Sequence, residues 1–386
     1  MPTMEQTLLT IRNVGQLHFG PGALARSGDD LIARGTRSLF LVTTGPTLFL
    51  CDPLVRQLEA AGVRVTIWHD IVGEPTFEAF DAAMAAARAV APDAILGLGG
   101  GSAMDVAKLV AALLDGRQQV RDVIGVGLLS GRSLWVGCVP TTAGTGSEVT
   151  PIAILGDEDE ALKKGVVSDH LVPDAAYLDP ALTVSMPAAV TAATGLDALT
   201  HCIEAYANRF AHPIVDVQAL AGIALVARHL ERACRDGTDL EARGGMMRAS
   251  LYGGMCLGPV NTAAVHALAY PLGGEFHIAH GVANALLLPH VLRFNIAGDP
   301  ARYAAIAHAL GVPPTGDAAA DAAAGVERVI ALADACGIKR RLSDFGIARE
   351  AIPHMAAAAM TVTRLLERNP RPLTEADTRA IYEAAW

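Results

Sequence analysis

The sequence predicts an α/β N-terminal domain with a parallel Rossmann-like sheet, followed by an all-α C-terminal domain. In the first half of the chain, short apolar strand-like runs alternate with helical patterns, which is typical of βαβ units. After about Pro180 nearly every segment shows helical periodicity and no convincing strand alternation. At 386 residues the chain is also too long for one hydrophobic core to be the default. We therefore place the α/β domain at residues 1–182 and the helical domain at residues 183–386.

The elements of the first domain follow from their patterns, because strands appear as short buried runs and helices as longer periodic ones. Strands are predicted at residues 38–44, 63–70, 94–99 and from 133 onward, and strong helices at 77–91 and 103–114. Each strand is followed by a turn or loop rich in glycine, proline or threonine. Strands separated by helices of this length predict a parallel sheet.

The bulk composition excludes several classes of protein. Hydrophobic residues make up 52% and charged residues 18%, which excludes disorder and fits a globular enzyme. The formal net charge of -10 and the lack of a basic run argue against a nucleic-acid surface. Six scattered cysteines without a CxxC pair indicate neither a disulfide framework nor a thiolate zinc site. With no apolar signal-type stretch at the N-terminus, a cytoplasmic location is expected.

One uncharged segment, residues 249–274, is long enough to span a bilayer. Pro259, Asn261, His266, Pro271 and five glycines interrupt it, however, and lipid would leave the polar groups unsatisfied. We therefore predict a helical segment buried in protein and no membrane insertion.

Two loops at predicted strand ends are candidates for binding phosphate. In "GLGGGSAMDVAK", residues Gly99, Gly100, Gly101 and Ser102 join a strand end to a helix start, where free N–H groups favour a pyrophosphate. A tight strand-to-helix turn is the alternative, since Ser102 stands where a third fingerprint glycine would fall. The second loop is "PTTAGTGSEVT" at residues 140–150, and Lys164 either adds a charge to the same site or is an exposed lysine. Together the two loops predict a dinucleotide cleft, because ligands bind at the carboxyl ends of parallel strands.

A helix over "TGLDALTHCIEAY" places Asp197 and His201 one turn apart on the same face. A carboxylate with imidazoles is a ligand set for Zn(II) or Fe(II), although a simple Asp–His hydrogen bond would show the same spacing. The later stretch "HALAYPLGGEFHIAHG" can supply further imidazoles from His266, His277 and His280. A core histidine bonded to a backbone carbonyl is the alternative for each.

Taken together, the motifs "LHFGPGAL", "GGGSAMDVAK", "PTTAGTGSEVT", "GLDALTHCIEAY" and "HGVANALLLPHVLRFN" strongly resemble those of the iron-containing (group III) alcohol dehydrogenase family. The resemblance covers essentially the whole chain. It implies a metal ion held by one aspartate and three histidines, at the matching positions Asp197, His201, His266 and His280. The dehydroquinate synthases and glycerol dehydrogenases share the fold but generally use a metal site with three ligands. The presence of His201 as an additional ligand therefore favours the alcohol dehydrogenase branch.

The resemblance also implies a nicotinamide cofactor, NAD or NADP, in the cleft between the two domains. Its pyrophosphate would lie near residues 99–102, with Asp105 in the same helix counted among the cofactor-binding residues. Thr141, Thr142 and Thr145 would line the nicotinamide side, and Lys164 matches a lysine that contacts the ribose. The implied reaction is hydride transfer between an alcohol and NAD(P)+, with the metal lowering the pKa of the substrate oxygen or, in reverse, polarising an aldehyde or ketone. Family members are commonly dimers or larger.

The sequence departs from the family at two places. Many members have a histidine near the nicotinamide where this chain has Tyr270, so His277 is our candidate replacement in proton transfer. NAD-preferring members often have aspartate where Thr44 stands, and Thr44 has no charge to repel a 2′-phosphate, so both cofactors stay open. The choice between iron and zinc also stays open.

Two other functions compete with an alcohol dehydrogenase. Maleylacetate reductase, or an oxidoreductase of a hydroxy acid, would keep the fold and change the substrate, although "HGVAN" after the last histidine counts against the former. A non-catalytic nucleotide-binding protein is the alternative from another class, and the presence of all four ligands counts against it.

Overall fold

The computed structural model describes residues 8–157 and 162–386. Its described residues divide into two compact units, one of Arg12–Thr142 with Gly146–Ser185 and one of Ala143–Thr145 with Met186–Trp386 and residues 8–11. The expectation that the N-terminus carries no signal segment falls partly on residues 1–7, which lie outside the described residues.

The first unit contains a six-stranded sheet in the order β1-β9-β6-β4-β2-β3, in which every pair is parallel. The strands of this unit are β1 (Gln16–Phe19), β2 (Ser38–Val42), β3 (Arg64–Trp68), β4 (Ala94–Gly99), β5 (Gly125–Val126), β6 (Trp135–Pro140), β7 (Ile152–Asp157), β8 (Leu162–Val167) and β9 (Ala175–Leu178). Its helices are α1 (Ala23–Ala33), α2 (Asp52–Ala60), α3 (Phe77–Val90) and α4 (Gly101–Leu113). The predicted parallel sheet with intervening helices is confirmed.

Apolar residues cover both faces of this sheet. Leu39 and Leu41 of β2 are buried in one core cluster, and Phe40 and Val42 are buried in another. Successive side chains of a strand point to opposite faces, so a continuous apolar run is what a strand covered on both sides requires. Gly97 brings α4 close to β4, because a Cβ there would lie 2.9 Å from the Cβ of Ala107.

A smaller sheet in the order β5-β8-β7 was not expected from the sequence. Its strands β7 and β8 pair antiparallel, and β5 adds only two residues. Lys163, Lys164 and Gly165 interrupt the apolar pattern of β8, so the run lacks the signal of a buried strand.

The second unit is helical, and none of its described residues forms a strand, as predicted. Its helices are α5 (Ala188–Tyr206), α6 (Pro213–Arg235), α7 (Leu240–Leu257), α8 (Ala264–Gly274), α9 (His280–Asn295), α10 (Pro300–Ala309), α11 (Ala318–Ala335), α12 (Ile352–Met360), α13 (Thr363–Leu366) and α14 (Glu375–Ala385). The uncharged segment 249–274 falls on α7 and α8 and is mostly buried, as expected.

Helix α6 is the one helix of the described chain that is long and apolar enough to cross a membrane. It packs against α5 and α7, and Val215, Ile223 and Leu230 are almost completely buried. Charged groups, among them Asp216 and Arg232, interrupt it near both ends. We therefore interpret α6 as a core helix of the second unit.

Candidate functional site

Three helices of the second unit bring together the four residues predicted to hold a metal. Asp197 and His201 lie on α5, His266 in the first turn of α8, and His280 at the start of α9. One ligand atom from each lies within 4.8 Å of all the others. The Nε2 atoms of the three histidines are 3.7–3.8 Å from Asp197 Oδ1. Ligands about 2.1 Å from a tetrahedral ion are about 3.4 Å apart, so the cluster is close to the size that such an ion requires.

A close helix contact places His280 in this cluster. A Cβ at Gly281 would lie 2.3 Å from the carbonyl oxygen of Ala193 on α5, so only glycine allows α9 to approach this closely. The glycines at 273 and 274 do not form the turn between α8 and α9, because they lie in the last turn of α8. The chain turns over residues 275–279. Within that turn His277 has the left-handed φ of 54°, which is uncommon for a residue other than glycine.

The electrostatics of the cluster favour an ionised Asp197 and a neutral His201 imidazole. Burial opposes the ionisation of Asp197, but His201, His280 and His266, with a hydrogen bond from Asn284, outweigh it and hold its pKa at about 2. Burial lowers the pKa of His201 despite the nearby Asp197 carboxylate. A neutral imidazole keeps the lone pair that a metal ion needs.

Hydrogen bonds fix which nitrogen of two histidines faces the cluster. His201 Nδ1 lies 3.2 Å from the carbonyl oxygen of Gly144, and His266 Nδ1 lies 2.5 Å from Glu204 Oε2. Carbonyl and carboxylate oxygens only accept, so each Nδ1 donates and each Nε2 presents a lone pair to Asp197 and its neighbours. This arrangement is typical of metal-ligating histidines.

Asn284 was missed from the sequence, although it lies one helical turn after His280. Its Nδ2 donates to Asp197 Oδ1 at 2.7 Å and lies 3.1 Å from His266 Nε2 and 3.2 Å from His280 Nε2. The side chain is fully buried, and its Oδ1 has no hydrogen-bond partner. One carboxylate and three imidazoles, with the Asn284 amide nitrogen among them, form a polar cluster whose donor set suits Fe(II) or Zn(II).

The glycine loop lies where the sequence placed it, at the carboxyl end of β4. Gly99 ends the strand and α4 begins at Gly101, so the free N–H groups of the first helical turn are available to an anion. Gly99 is also required for packing, since its Cβ would lie 2.8 Å from that of Ala103. At Gly100 a Cβ would make only ordinary contact with Thr142. Ser102 is half-buried, and its hydroxyl donates to the carbonyl oxygen of Gly73.

The threonine loop follows the neighbouring strand β6. The backbone of Thr141 donates to the Gly99 carbonyl at 2.9 Å, and its buried hydroxyl has no hydrogen-bond partner. Thr142 and Thr145 are half-buried, and Thr44 caps the short helical turn Gly45–Cys51 after β2. A helix N-terminus flanked by two such loops has the donors that a dinucleotide pyrophosphate requires.

Asp105 and Lys108 form an internal network in the first unit. Asp105 accepts from the Ser147 hydroxyl at 2.5 Å and from the Ile154 backbone at 2.9 Å, and it lies 3.2 Å from the fully buried Lys108. Lys108 in turn donates to the Ser147 carbonyl. Both oxygens of Asp105 therefore bind protein groups. Lys164, by contrast, is half-buried on β8.

The two candidates for proton transfer have different surroundings. Tyr270 lies on α8, is half-buried and packs against the core of the second unit. His277 is exposed in the turn between α8 and α9. Exposure allows His277 to exchange protons with solvent, as a relay requires.

Comparison with known proteins relates both units to one family. The model described as "Iron-containing alcohol dehydrogenase" matches residues 15–180, and "Fe-containing alcohol dehydrogenase family, C-terminal" matches residues 191–386. Long-chain-alcohol dehydrogenase 1 of Geobacillus thermodenitrificans is 42% identical over 376 residues, covering 96% of this chain and 94% of that protein.

Solved structures give the same relationship. The crystal structure of a 1,3-propanediol oxidoreductase has a TM-score of 0.94 and 34% identity, covering 98% of this chain and 100% of that one. A sulfoacetaldehyde reductase from Bifidobacterium kashiwanohense, solved in complex with NAD+, has a TM-score of 0.88 and 28% identity, covering 98% of this chain and 99% of that one.

Proposed function

Because this chain belongs to the iron-containing alcohol dehydrogenase family, we propose that it transfers a hydride between an alcohol and NAD(P)+, and in reverse reduces an aldehyde or ketone. The observation that carries this proposal is the convergence of one carboxylate and three imidazoles within 4.8 Å. A non-catalytic nucleotide-binding protein has no need of such a cluster. Relatives named for long-chain alcohols and 1,3-propanediol support an alcohol and its aldehyde as the substrate pair.

In this proposal Asp197, His201, His266 and His280 hold a divalent ion, with Fe(II) the first choice and Zn(II) the alternative. The bound ion would supply Lewis acidity, which lowers the pKa of an alcohol oxygen or polarises a carbonyl. The chain's own contribution is orientation: Gly144 and Glu204 fix two of the imidazole rings, and burial shields Asp197, His201 and His266 from water.

We propose that the start of α4, with Gly99, Gly100, Gly101 and Ser102, binds the pyrophosphate of NAD or NADP. Thr141, Thr142 and Thr145 would lie on the nicotinamide side, with Lys164 at a ribose. For Asp105, counted among the cofactor-binding residues, we propose an indirect role, because its two oxygens bind Ser147 and Ile154 and lie beside Lys108. It would act by holding the threonine loop through Ser147.

His277 is the proposed route for the alcohol proton to solvent, in place of the histidine that many relatives have at Tyr270. Its exposure and left-handed backbone support this role. Replacement by asparagine, which tolerates that backbone conformation, should lower the rate and shift its pH profile. An unchanged rate and pH profile would remove His277 from the reaction.

For the whole chain we propose a dinucleotide-binding domain at residues 1–182, a metal- and substrate-binding domain at 183–386 and a homo-oligomer, dimer or larger. The edge strand β1 supports association, since it exposes Leu17 and Phe19 beside unpaired backbone groups. The cysteines are all free thiols, which supports a reducing cytoplasm. Light scattering of the purified protein measures the oligomeric state.

The direct test is a panel of alcohols, aldehydes and hydroxy acids, assayed with NAD(H) and NADP(H) after loading the protein with Fe(II) or Zn(II). We expect metal-dependent turnover of alcohols and aldehydes. Turnover of hydroxy acids alone would replace the proposed substrate class, and no turnover across the panel would refute the proposal.

A further inference from the structure

Glu204 is a buried carboxylate on α5, one turn beyond His201, that faces another helix. Its Oε1 accepts from the backbone N–H of Val265 at 2.6 Å, and its Oε2 accepts from His266 Nδ1 at 2.5 Å. Val265 and His266 are the second and third residues of α8. Glu204 thus bonds the start of α8 to the last turn of α5.

This contact satisfies several requirements at once. The first N–H groups of a helix have no partner within it, and the residue preceding α8, Ala263, has no polar side-chain atom to cap them. A carboxylate is also favoured by the positive end of the helix dipole. The charge of Glu204 therefore stabilises the start of α8 and sets the position of His266.

The hydrogen bond also selects the tautomer of His266. With Nδ1 donating to Glu204, Nε2 carries the lone pair and lies 3.7 Å from Asp197 Oδ1. His201 has the same tautomer, but its Nδ1 donates to the neutral carbonyl of Gly144. A charged acceptor makes an imidazole the more basic ligand, so these two histidines differ in donor strength.

We propose that Glu204 is a positioning residue of the metal centre, which holds His266 in the Nδ1–H tautomer and strengthens its Nε2 as a ligand. The inference rests on the proposed metal site. Glu204 is not itself a ligand, because both of its oxygens are bonded to α8.

Glu204→Gln tests the tautomer directly. The amide can keep its oxygen on the Val265 N–H only by turning its NH2 toward His266 Nδ1, which must then accept. The proton would move to Nε2 and point at the ion. We expect metal affinity to fall about 10- to 100-fold, as is typical when the outer partner of a ligand is lost.

The measurements are competition with a chromophoric chelator for Zn(II) at one fixed pH, and imidazole-nitrogen NMR of histidine-labelled, metal-free protein. The His266 signal is assigned by its loss in His266→Asn. In the wild type His266 should be protonated at Nδ1, and in Glu204→Gln it should be protonated at Nε2. Thr200→Val is the matched control, because it removes a buried hydroxyl on the same helix that bonds only to the Leu196 carbonyl.

The outcomes separate this inference from the proposed function. Wild-type affinity and an Nδ1–H tautomer in a folded Glu204→Gln would overturn the role of Glu204 and leave the metal centre intact. A wild-type protein that binds no Zn(II) or Fe(II) would overturn both. If Glu204→Gln does not fold, the wild-type spectrum decides, since a proton on His266 Nε2 contradicts the proposal.

Discussion

The glycine loop of the first unit and the histidine cluster of the second unit are built from different atoms. The glycine loop offers backbone N–H groups at the start of α4, and the hydroxyl of Ser102 in that loop already bonds to the Gly73 carbonyl. The cluster consists of side chains from three helices, held by outer partners. A backbone site should therefore tolerate side-chain changes that a side-chain site does not.

The largest expected effect is that of Asp197→Asn. Removing the one carboxylate of the cluster should weaken metal binding by more than the roughly 10- to 100-fold typical of an outer partner, and activity should fall with it. Elemental analysis measures the bound metal, and the rate of alcohol oxidation measures the activity. Asp321→Asn is the control, since that buried carboxylate also bonds a histidine, His308, outside the cluster. Equal metal affinity in the two variants would contradict the assignment.

Gly281→Ala tests the packing that places His280. The new Cβ would lie 2.3 Å from the Ala193 carbonyl oxygen, so we expect a loss of about 1–3 kcal/mol in the free energy of unfolding, and weaker metal binding. Gly131→Ala has open space around its Cβ and should change the unfolding energy by less than about 0.5 kcal/mol. Urea unfolding compares the free energies of unfolding of the two variants. Equal values would show that the close packing of α5 and α9 does not require glycine at position 281.

Thr44→Asp adds a charge in the proposed cofactor-binding region, where the charge of the side chain should matter. A carboxylate there repels a 2′-phosphate, so the ratio of kcat/KM with NAD to that with NADP should rise about tenfold or more. Thr44→Asn is the matched control, because aspartate and asparagine both suit the N-cap position that Thr44 occupies. A similar rise in both variants would mean that charge is not the cause.

Ser102→Ala should have the smallest effect. Its hydroxyl already donates to the Gly73 carbonyl, and the helix N-terminus remains, so KM for the dinucleotide should rise only about two- to threefold. Steady-state kinetics at saturating alcohol gives this value. A much larger loss would show that the loop recognises phosphate through side chains, which would remove the contrast with the metal cluster.

The same difference explains how much the sequence could predict. The strand ending at Gly99 and the helix following it form a local pattern, so the glycine loop was visible from spacing alone. The pair Asp197 and His201 was also visible, because the residues are one turn apart. Linking them to His266 and His280 needed the resemblance to a family, since those residues lie on helices whose packing the sequence does not express.

Other features could not be found from local pattern. Glu204 and Asn284 each lie one turn from a proposed ligand, but nothing in their spacing tells which face of the helix meets a neighbour. The small sheet of β5, β7 and β8 was missed because a strand with two lysines and a glycine lacks an apolar run. The hydrogen-bond partners of Asp105, Ser147 and Ile154, lie more than 40 residues away along the chain.

The central claim is that Asp197, His201, His266 and His280 bind one divalent ion. Anomalous X-ray scattering from crystals of the Fe(II)-loaded protein tests it directly. We predict one iron peak per chain in this cluster, about 2.0–2.2 Å from the carboxylate oxygen and the three Nε2 atoms. A peak elsewhere, or none at these residues in a protein that oxidises alcohols, would contradict the account.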